Sequence, residues 1–110
     1  MTDPAEIYDS WFVPVLFAPV AEQMVAGAAL PPQARVLDIA CGTGIVARTV
    51  AARLHGQGQV TGLDLNPAML RVARRRSEAA GLEIDWVQGD AQALPFPDAV
   101  FDLVFCQQAI

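Results

Sequence analysis

The stretch Arg35-Val-Leu-Asp-Ile-Ala-Cys-Gly-Thr-Gly-Ile-Val-Ala47 decides the fold. It opens as an apolar strand over 36–39, turns on Gly42 and Gly44, and continues into residues that favour a helix. Glycine lets the backbone approach a ligand closely, and the first turn of a helix offers its backbone N–H groups. A strand, a glycine turn and a helix N-terminus in this order predict a site for a nucleotide-like ligand.

The glycine turn alone is compatible with more than one cofactor. The run from Gly42 to Ala47 fits the dinucleotide-binding pattern G-x-G-x-x-G/A, and Asp64 lies at about the expected 20 residues further on. Asp38, inside the strand just before the turn, is not explained by that pattern. With Asp38 included, the stretch resembles motif I of the class I S-adenosylmethionine-dependent methyltransferases, in which an acidic residue precedes the glycine turn.

Length and composition limit the other possibilities. The chain has 110 residues, 54% of them hydrophobic, and this length predicts one small domain. Its net charge of −5 argues against bulk nucleic-acid binding. Prolines and polar residues interrupt the apolar stretch over 11–30, so we expect no membrane span. The acidic N-terminus carries no secretory pattern, and we expect a cytoplasmic protein without a metal site.

The order of elements predicts an α/β fold. We expect a helical segment within residues 1–34 and, from 35 to 110, alternating strands and helices that form a Rossmann-like, doubly wound, mostly parallel sheet. Asn66 at an N-cap followed by Pro67 is the clearest helix start. The predicted strands are 35–39, 60–65, 84–88 and 101–106, and the predicted helices are 44–54 and 66 to about 81.

Acidic residues stand at or near the ends of three predicted strands: Asp38, Asp64 and Asp90. In an open parallel sheet the ligand lies beyond the carboxyl ends of the strands. A carboxylate such as that of Asp64 can accept hydrogen bonds from both hydroxyls of a ribose. A carboxylate in a buried strand is costly unless it is hydrogen-bonded, so we expect Asp38 to cap nearby N–H groups and to face the amino group of the ligand.

The family resemblance extends over residues 5–110 and implies more than the residues alone. It is strongest to the small-molecule branch that includes the ubiquinone/menaquinone-biosynthesis methyltransferases, whose sheet has seven strands in the order 3-2-1-4-5-7-6. It implies that this chain supplies the first four strands, binds S-adenosylmethionine, and works with a small-molecule methyl acceptor. The cofactor-binding residues that it implies, together with those predicted above, are Asp38, Ala40, Gly42, Gly44, Asp64, Leu65, Met69, Asp90, Ala91 and Cys106.

Within that set, each residue has an expected role. Asp90 and Ala91 would contact the adenine, Leu65 and Met69 would flank its ring, and Cys106 would face the methionine moiety. Ala40 stands where many family members have the first glycine of the turn. The sequence offers no general base, so we name no catalytic residue.

Two alternatives and one expectation about assembly remain. A nicotinamide-dependent oxidoreductase shares the glycine turn and Asp64, and a non-catalytic module could use the same fold as a scaffold. The apolar run from Phe101 to Cys106 has side chains on both faces and no lysine or proline to protect its edge. We therefore expect the chain to be inactive in methyl transfer alone and to self-associate through the edge of the fourth strand.

Overall fold

Four parallel strands and two helices are the complete elements of the part of the chain that the structure describes. The computed structural model describes residues 23, 25–28, 30–96 and 100–106. The elements in chain order are β1 (Arg35–Ile39), α1 (Ile45–Leu54), β2 (Gln59–Asp64), α2 (Pro67–Ala79), β3 (Asp85–Gln88) and β4 (Leu103–Phe105). The strands lie in the order β3-β2-β1-β4, and every pairing is parallel. The predicted Rossmann-like α/β sheet and its strand order are confirmed.

Strand β1 is the centre of this sheet. It pairs with β2 over five positions and with β4 over three. Val36 and Leu37 are at most 1% exposed, as expected for a strand covered on both faces, which needs an apolar run rather than an alternating one. Asp38 is the exception in this strand, since it is polar and only 2% exposed.

Helix α1 follows the glycine turn and packs its apolar face on the sheet. Its buried residues Val46, Val50 and Leu54 belong to the same core cluster as Val36 and Phe105. The helix begins one residue later than predicted, because Gly44 is its N-cap in a left-handed conformation. At the other end His55 is the C-cap, which accounts for the single histidine without a catalytic role.

Helix α2 begins as the sequence predicts. The side chain of Asn66 accepts a hydrogen bond from the N–H of Ala68 at 2.9 Å, and Pro67 occupies the first helical position. Leu70 and Ala73 are buried, and the helix ends two residues before Gly81. None of the helices in the described part of the chain combines the length and apolar character that a membrane span requires.

The strand boundaries differ from the predicted ones at their ends. Strand β2 ends at Asp64, so Leu65 lies beyond it and is 62% exposed. Strand β4 has three residues where six were predicted, and Asp102 is engaged instead by Arg35. The Asp102 carboxylate accepts from the Arg35 N–H at 2.8 Å and pairs with the guanidinium at 3.2 Å, which joins the start of β4 to the start of β1.

The segment before β1 is described only in part. Most of the helical segment predicted within 1–34 lies outside the described residues. Gln23 and residues 25–27 are helical, and Val25 is 1% exposed in the core. This agrees with helical structure in the later part of that segment.

Candidate functional site

The turn between β1 and α1 is built from three left-handed backbone positions. Ala40, Gly42 and Gly44 have φ values of 53°, 59° and 84°. The Gly44 N–H donates to the Cys41 carbonyl at 2.9 Å, which closes the turn. At Ala40 a side chain in this conformation costs about 1–2 kcal/mol, so the position that resembles the family's first glycine carries strain. The turn brings the start of α1 to the carboxyl end of β1.

Asp38 caps helix α1 from the neighbouring strand. Gly44 has no side chain to cap the helix, and Asp38 Oδ2 instead accepts from the N–H of Ala47, the third helical residue, at 3.1 Å. A carboxylate at a helix N-terminus also interacts favourably with the helix dipole. The predicted capping role of Asp38 is confirmed, and the contact fixes α1 against β1.

Burial makes the Asp38 carboxylate unusual. Desolvation raises its pKa from 3.8 to about 7, the hydrogen bond from Ala47 opposes the shift, and the nearby negative charge of Asp64 adds to it. The carboxylate is therefore kept in a place that disfavours its charge. Such an acid near the carboxyl end of a strand, beside a glycine turn, is a candidate for binding a cation.

Asp64 links the glycine turn to the start of α2. One carboxylate oxygen accepts from the Gly42 N–H at 2.9 Å, and the other accepts from the Asn66 N–H at 2.8 Å. Asp64 therefore has a structural role at the start of the turn from Asp64 to Pro67. Each oxygen accepts a backbone hydrogen bond and still has a second lone pair for a ligand.

The other predicted residues lie at the same edge of the sheet and are more exposed. Met69 is half-buried on α2, and Leu65, Asp90, Ala91 and Cys106 are exposed. Asp90 Oδ1 accepts from the Gln92 N–H at 2.9 Å in a local turn. The register places Gln88 beside Asp64, so Asp90 follows two residues beyond this pair. The predicted set therefore shares one edge, with its carboxylates on or next to three adjacent strands.

Thr43 belongs to this site, although sequence reasoning did not select it. It lies between Gly42 and Gly44, is 1% exposed, and its hydroxyl has no hydrogen-bond partner in the described structure. A buried hydroxyl without a partner is costly, and a polar ligand at the turn would satisfy it. A hydroxyl residue between the two glycines was the signal that could have identified it.

Neither the cleft elsewhere in the described structure nor a metal centre competes with this edge as the candidate site. A cleft of about 940 Å³ lies at the opposite edge of the sheet, between the C-terminal ends of α1 and α2 and the first residues of β2 and β3, and contains none of the predicted residues. Within the described residues, no group of three or more His, Cys, Asp or Glu side chains could hold a metal ion. The glycine turn, with its carboxylates and its unpaired hydroxyl, is the better candidate for a polar ligand.

Comparison with known proteins decides the family. Residues 36–110 match the family described as methyltransferase domain. This chain belongs to the methyltransferase domain family. It is 50% identical over 70 residues to a demethylmenaquinone methyltransferase of Thermus thermophilus, a match that covers 64% of this chain and 31% of the relative.

A second relative agrees with this assignment, and a solved structure agrees with the fold. A ubiquinone/menaquinone biosynthesis C-methyltransferase of Stenotrophomonas maltophilia is 48% identical over 82 residues, which cover 73% of this chain and 32% of the relative. The crystal structure of the YcgJ protein from Bacillus subtilis superposes with a TM-score of 0.71 at 32% identity, over 78% of this chain and 36% of that protein. The methyltransferase domain described here thus spans about a third of the length of the curated relatives it matches.

The chemistry available at this methyltransferase turn is binding rather than nucleophilic attack. Burial and the nearby carboxylates of Asp38 and Asp64 raise the pKa of the Cys41 thiol. A thiol with a raised pKa is protonated at neutral pH and is a poor nucleophile. The turn can bind cationic and hydroxyl groups, and we assign no covalent role to Cys41.

The raised pKa of Asp38 predicts a pH-dependent effect of Asp38→Asn on stability. The pKa of Asp38 is higher in the folded protein than in the unfolded chain. Such a carboxyl group contributes to the free energy of unfolding at pH values below its unfolded-state pKa, and this contribution is lost as the pH rises through its folded-state pKa. Asparagine keeps an oxygen for the Ala47 N–H and cannot ionise. The variant should match the wild type near pH 4 and exceed it above pH 8, by up to about 4 kcal/mol for a shift of three pKa units.

Urea unfolding at a series of pH values measures this difference. Asp102→Asn is a control of opposite sign, because Arg35 holds the pKa of Asp102 below its usual value. That control should lose stability at neutral pH relative to the wild type, and the loss should disappear as Asp102 protonates in acid. A difference between Asp38→Asn and the wild type that does not vary with pH would contradict the burial argument.

Proposed function

We propose that this chain is the cofactor-binding part of an S-adenosylmethionine-dependent methyltransferase that acts on a small molecule. The observation that carries the proposal is the pair of carboxylates at the glycine turn, one held by the N–H of Ala47 and the other by the N–H of Gly42. Family membership favours this function over a nicotinamide-dependent oxidoreductase, which does not account for Asp38.

The charges of the site fit this cofactor. S-adenosylmethionine carries an ammonium and a sulfonium group, and a buried carboxylate is stabilised in its charged form by a cation nearby. Asp38 would face the ammonium group, and Thr43 with the backbone of the turn would hold the amino-acid part of the cofactor. The unpaired Thr43 hydroxyl supports this placement, because a polar ligand would remove an unsatisfied buried group.

The adenosine part would lie on the exposed side of the same edge. Asp64 would accept from the ribose hydroxyls with its remaining lone pairs, and Asp90 with Ala91 would contact the adenine. Leu65 is 62% exposed and Met69 is half-buried, so both offer apolar surface for the ring. The buried turn would therefore hold the charged part of the cofactor, and the exposed loops its nucleoside.

The cofactor supplies an electrophilic methyl group on its sulfonium sulfur. The contribution of these residues is to bind and orient the cofactor, which places the methyl group for attack by an acceptor. The two relatives are named for methyl transfer in menaquinone and ubiquinone biosynthesis, and we propose an acceptor of the same small-molecule, quinone-related class. The family assignment and the site geometry support the cofactor, and the relatives' names support the acceptor.

Asp64→Ala should weaken binding of S-adenosylhomocysteine to this chain. The substitution removes the acceptor for the ribose hydroxyls and releases the Gly42 N–H, and an unpaired polar group costs about 1–3 kcal/mol. Titration calorimetry measures the dissociation constant, with circular dichroism to confirm folding. Asp85→Ala is the matched control, because Asp85 is an exposed carboxylate at the opposite end of the strands. An unchanged dissociation constant in a folded Asp64→Ala variant would remove Asp64 from the site.

Asp90→Ala should distinguish recognition of the adenine from shaping of the loop. If Asp90 accepts from the exocyclic amine, the variant loses more affinity for S-adenosylhomocysteine than for an analogue that lacks this amine. The comparison uses the same calorimetric titration with both ligands. Equal losses would show that Asp90 acts through its turn contact with Gln92 instead.

We also propose that the isolated chain self-associates through the edge of β4. Among the described strands, β4 pairs with β1 and has no strand on its other side. Val104, in the middle of β4, is 56% exposed, whereas Phe105 is 7% exposed. A free edge with exposed apolar side chains favours pairing with another chain.

Val104→Lys should reduce this association, because a lysine at a sheet edge disfavours edge-to-edge pairing. Sedimentation velocity at several concentrations should show oligomers in the wild type and fewer in the variant. Ala52→Lys adds the same charge on the exposed side of α1 and should leave the association unchanged. A wild-type chain that remains monomeric at all concentrations would contradict the proposal.

A further inference from the structure

The indole of Trp86 lies between the glycine turn and helix α2. Its six-membered ring lies very close to Gly44 and Gly62. A Cβ built on Gly44 would be 2.4 Å from a ring carbon, and a Cβ built on Gly62 would be 2.3 Å from one. Real Cβ atoms do not approach that closely, so the ring fills the space that side chains at both positions would need. The Cβ of Ala73, on α2, would lie 3.4 Å from a Cβ built on Gly44.

Hydrogen bonds fix the orientation of this ring. Trp86 Nε1–H donates to the Ser77 hydroxyl at 3.1 Å, and that hydroxyl donates to the Arg74 carbonyl at 3.0 Å. Ser77 is 2% exposed, and its hydrogen bond with Trp86 is partly buried. The indole therefore has one preferred position, set by α2 at its nitrogen and by the two glycines at its far edge.

The two glycines belong to the elements that carry the two carboxylates of the site. Gly44 is the N-cap of α1, three residues before Ala47, whose N–H holds Asp38. Gly62 is paired in register with Asp38 on one side and with Trp86 on the other, and it lies two residues before Asp64. One rigid ring thus contacts both the start of α1 and the strand that ends at Asp64.

We propose that Trp86 is a positioning residue of the cofactor site, an inference that rests on the proposed function. Trp86 acts through Gly44 and Gly62 and sets the separation between the start of α1 and β2, and hence between the carboxylates of Asp38 and Asp64. A smaller side chain leaves space in which the glycine turn and the first turn of α1 shift. Since binding sites require placement to a fraction of an ångström, that shift lowers affinity for the cofactor.

Trp86→Phe tests this with two readouts, one of which needs no cofactor. In the ligand-free variant, the amides of Gly42, Thr43 and Gly44 should exchange with solvent faster than in the wild type. The dissociation constant for S-adenosylhomocysteine should rise about two- to thirtyfold, the range for residues that act on a site through their neighbours.

Two further variants separate positioning from general loss of stability. Ser77→Ala removes the acceptor of Nε1–H and keeps the bulk of the ring, so the amide exchange of the turn and the affinity should change in the same direction as in Trp86→Phe, by a smaller amount. Leu54→Ala removes a buried side chain at the far end of α1. Leu54→Ala should lower the melting temperature and leave the dissociation constant unchanged. Trp86→Phe should instead raise the dissociation constant.

Another variant, Trp11→Phe, covers the case in which Trp86→Phe does not fold. The chain has two tryptophans, so Trp11→Phe leaves Trp86 as the only one. The ring of Trp86 lies at the N-terminus of α1, where a bound ligand changes the local electric field. The fluorescence emission of Trp86 should therefore shift on saturation with S-adenosylhomocysteine. Unshifted emission in a chain shown by calorimetry to bind would overturn the proposal.

The remaining outcomes are also decisive. Wild-type turn amides and wild-type affinity in a folded Trp86→Phe variant overturn the positioning role. If the wild-type chain does not bind S-adenosylhomocysteine at all, the proposed function fails. In that case the amide exchange of Trp86→Phe still decides whether Trp86 positions the turn.

Discussion

The hydrogen bond from the Ala47 N–H to the Asp38 carboxylate is the contact on which the rest of the structure depends. Helix α1 starts at a glycine, which provides backbone freedom for the turn and no side-chain cap. The cap comes instead from β1, so the same contact that completes the helix also fixes it to the central strand. The cost is a carboxylate with 2% exposure and a pKa of about 7. Sites that bind charged ligands often keep such costs because removing them removes the function.

Asp64 extends this constraint to the second half of the described fold. Its two oxygens join the Gly42 N–H to the Asn66 N–H, and Asn66 in turn caps α2. The starts of both helices are therefore connected through side chains at the ends of β1 and β2. Because parallel strands end at a common edge, local capping of two helices places two carboxylates beside one turn. A ligand site follows from the same contacts that terminate the strands.

The local signals in the sequence predict the elements well. The glycine turn, the Asn66-Pro67 helix start and the apolar run of β1 are signals within a few residues, and the predicted positions agree with the structure within one or two residues. The parallel order β3-β2-β1-β4 agrees with the family resemblance. The shortening of β4 was not predictable in this way, and neither was the pairing of Asp102, next to its start, with Arg35, 67 residues earlier.

The residues of the candidate site also divide into those that local sequence signals identify and those that become apparent only in the folded structure. Asp38 and Asp64 were recognisable because acids at strand ends are informative by position, and the capping of Asp38 follows from the cost of a buried charge. Thr43 was not selected, because a hydroxyl residue between two glycines is a weak signal until its side chain is found buried without a hydrogen-bond partner. Trp86 was not selected either, since its contact with Gly44 spans 42 residues and requires the packed sheet to become visible.

The exposure of the site residues matches the charge distribution of the proposed ligand. Asp38 and Thr43 are at most 2% exposed, whereas Leu65 is 62% exposed and Asp90 is also exposed. Coulombic attraction is stronger where water is excluded, so a buried carboxylate gains most from the cationic end of the cofactor. The neutral nucleoside gains little from low dielectric and is recognised by hydrogen bonds and apolar contact, which an exposed edge can supply. Because the pKa of Asp38 is raised by burial, the cationic end of the proposed cofactor would lower it on binding. Part of the binding free energy would therefore offset the cost of the buried charge.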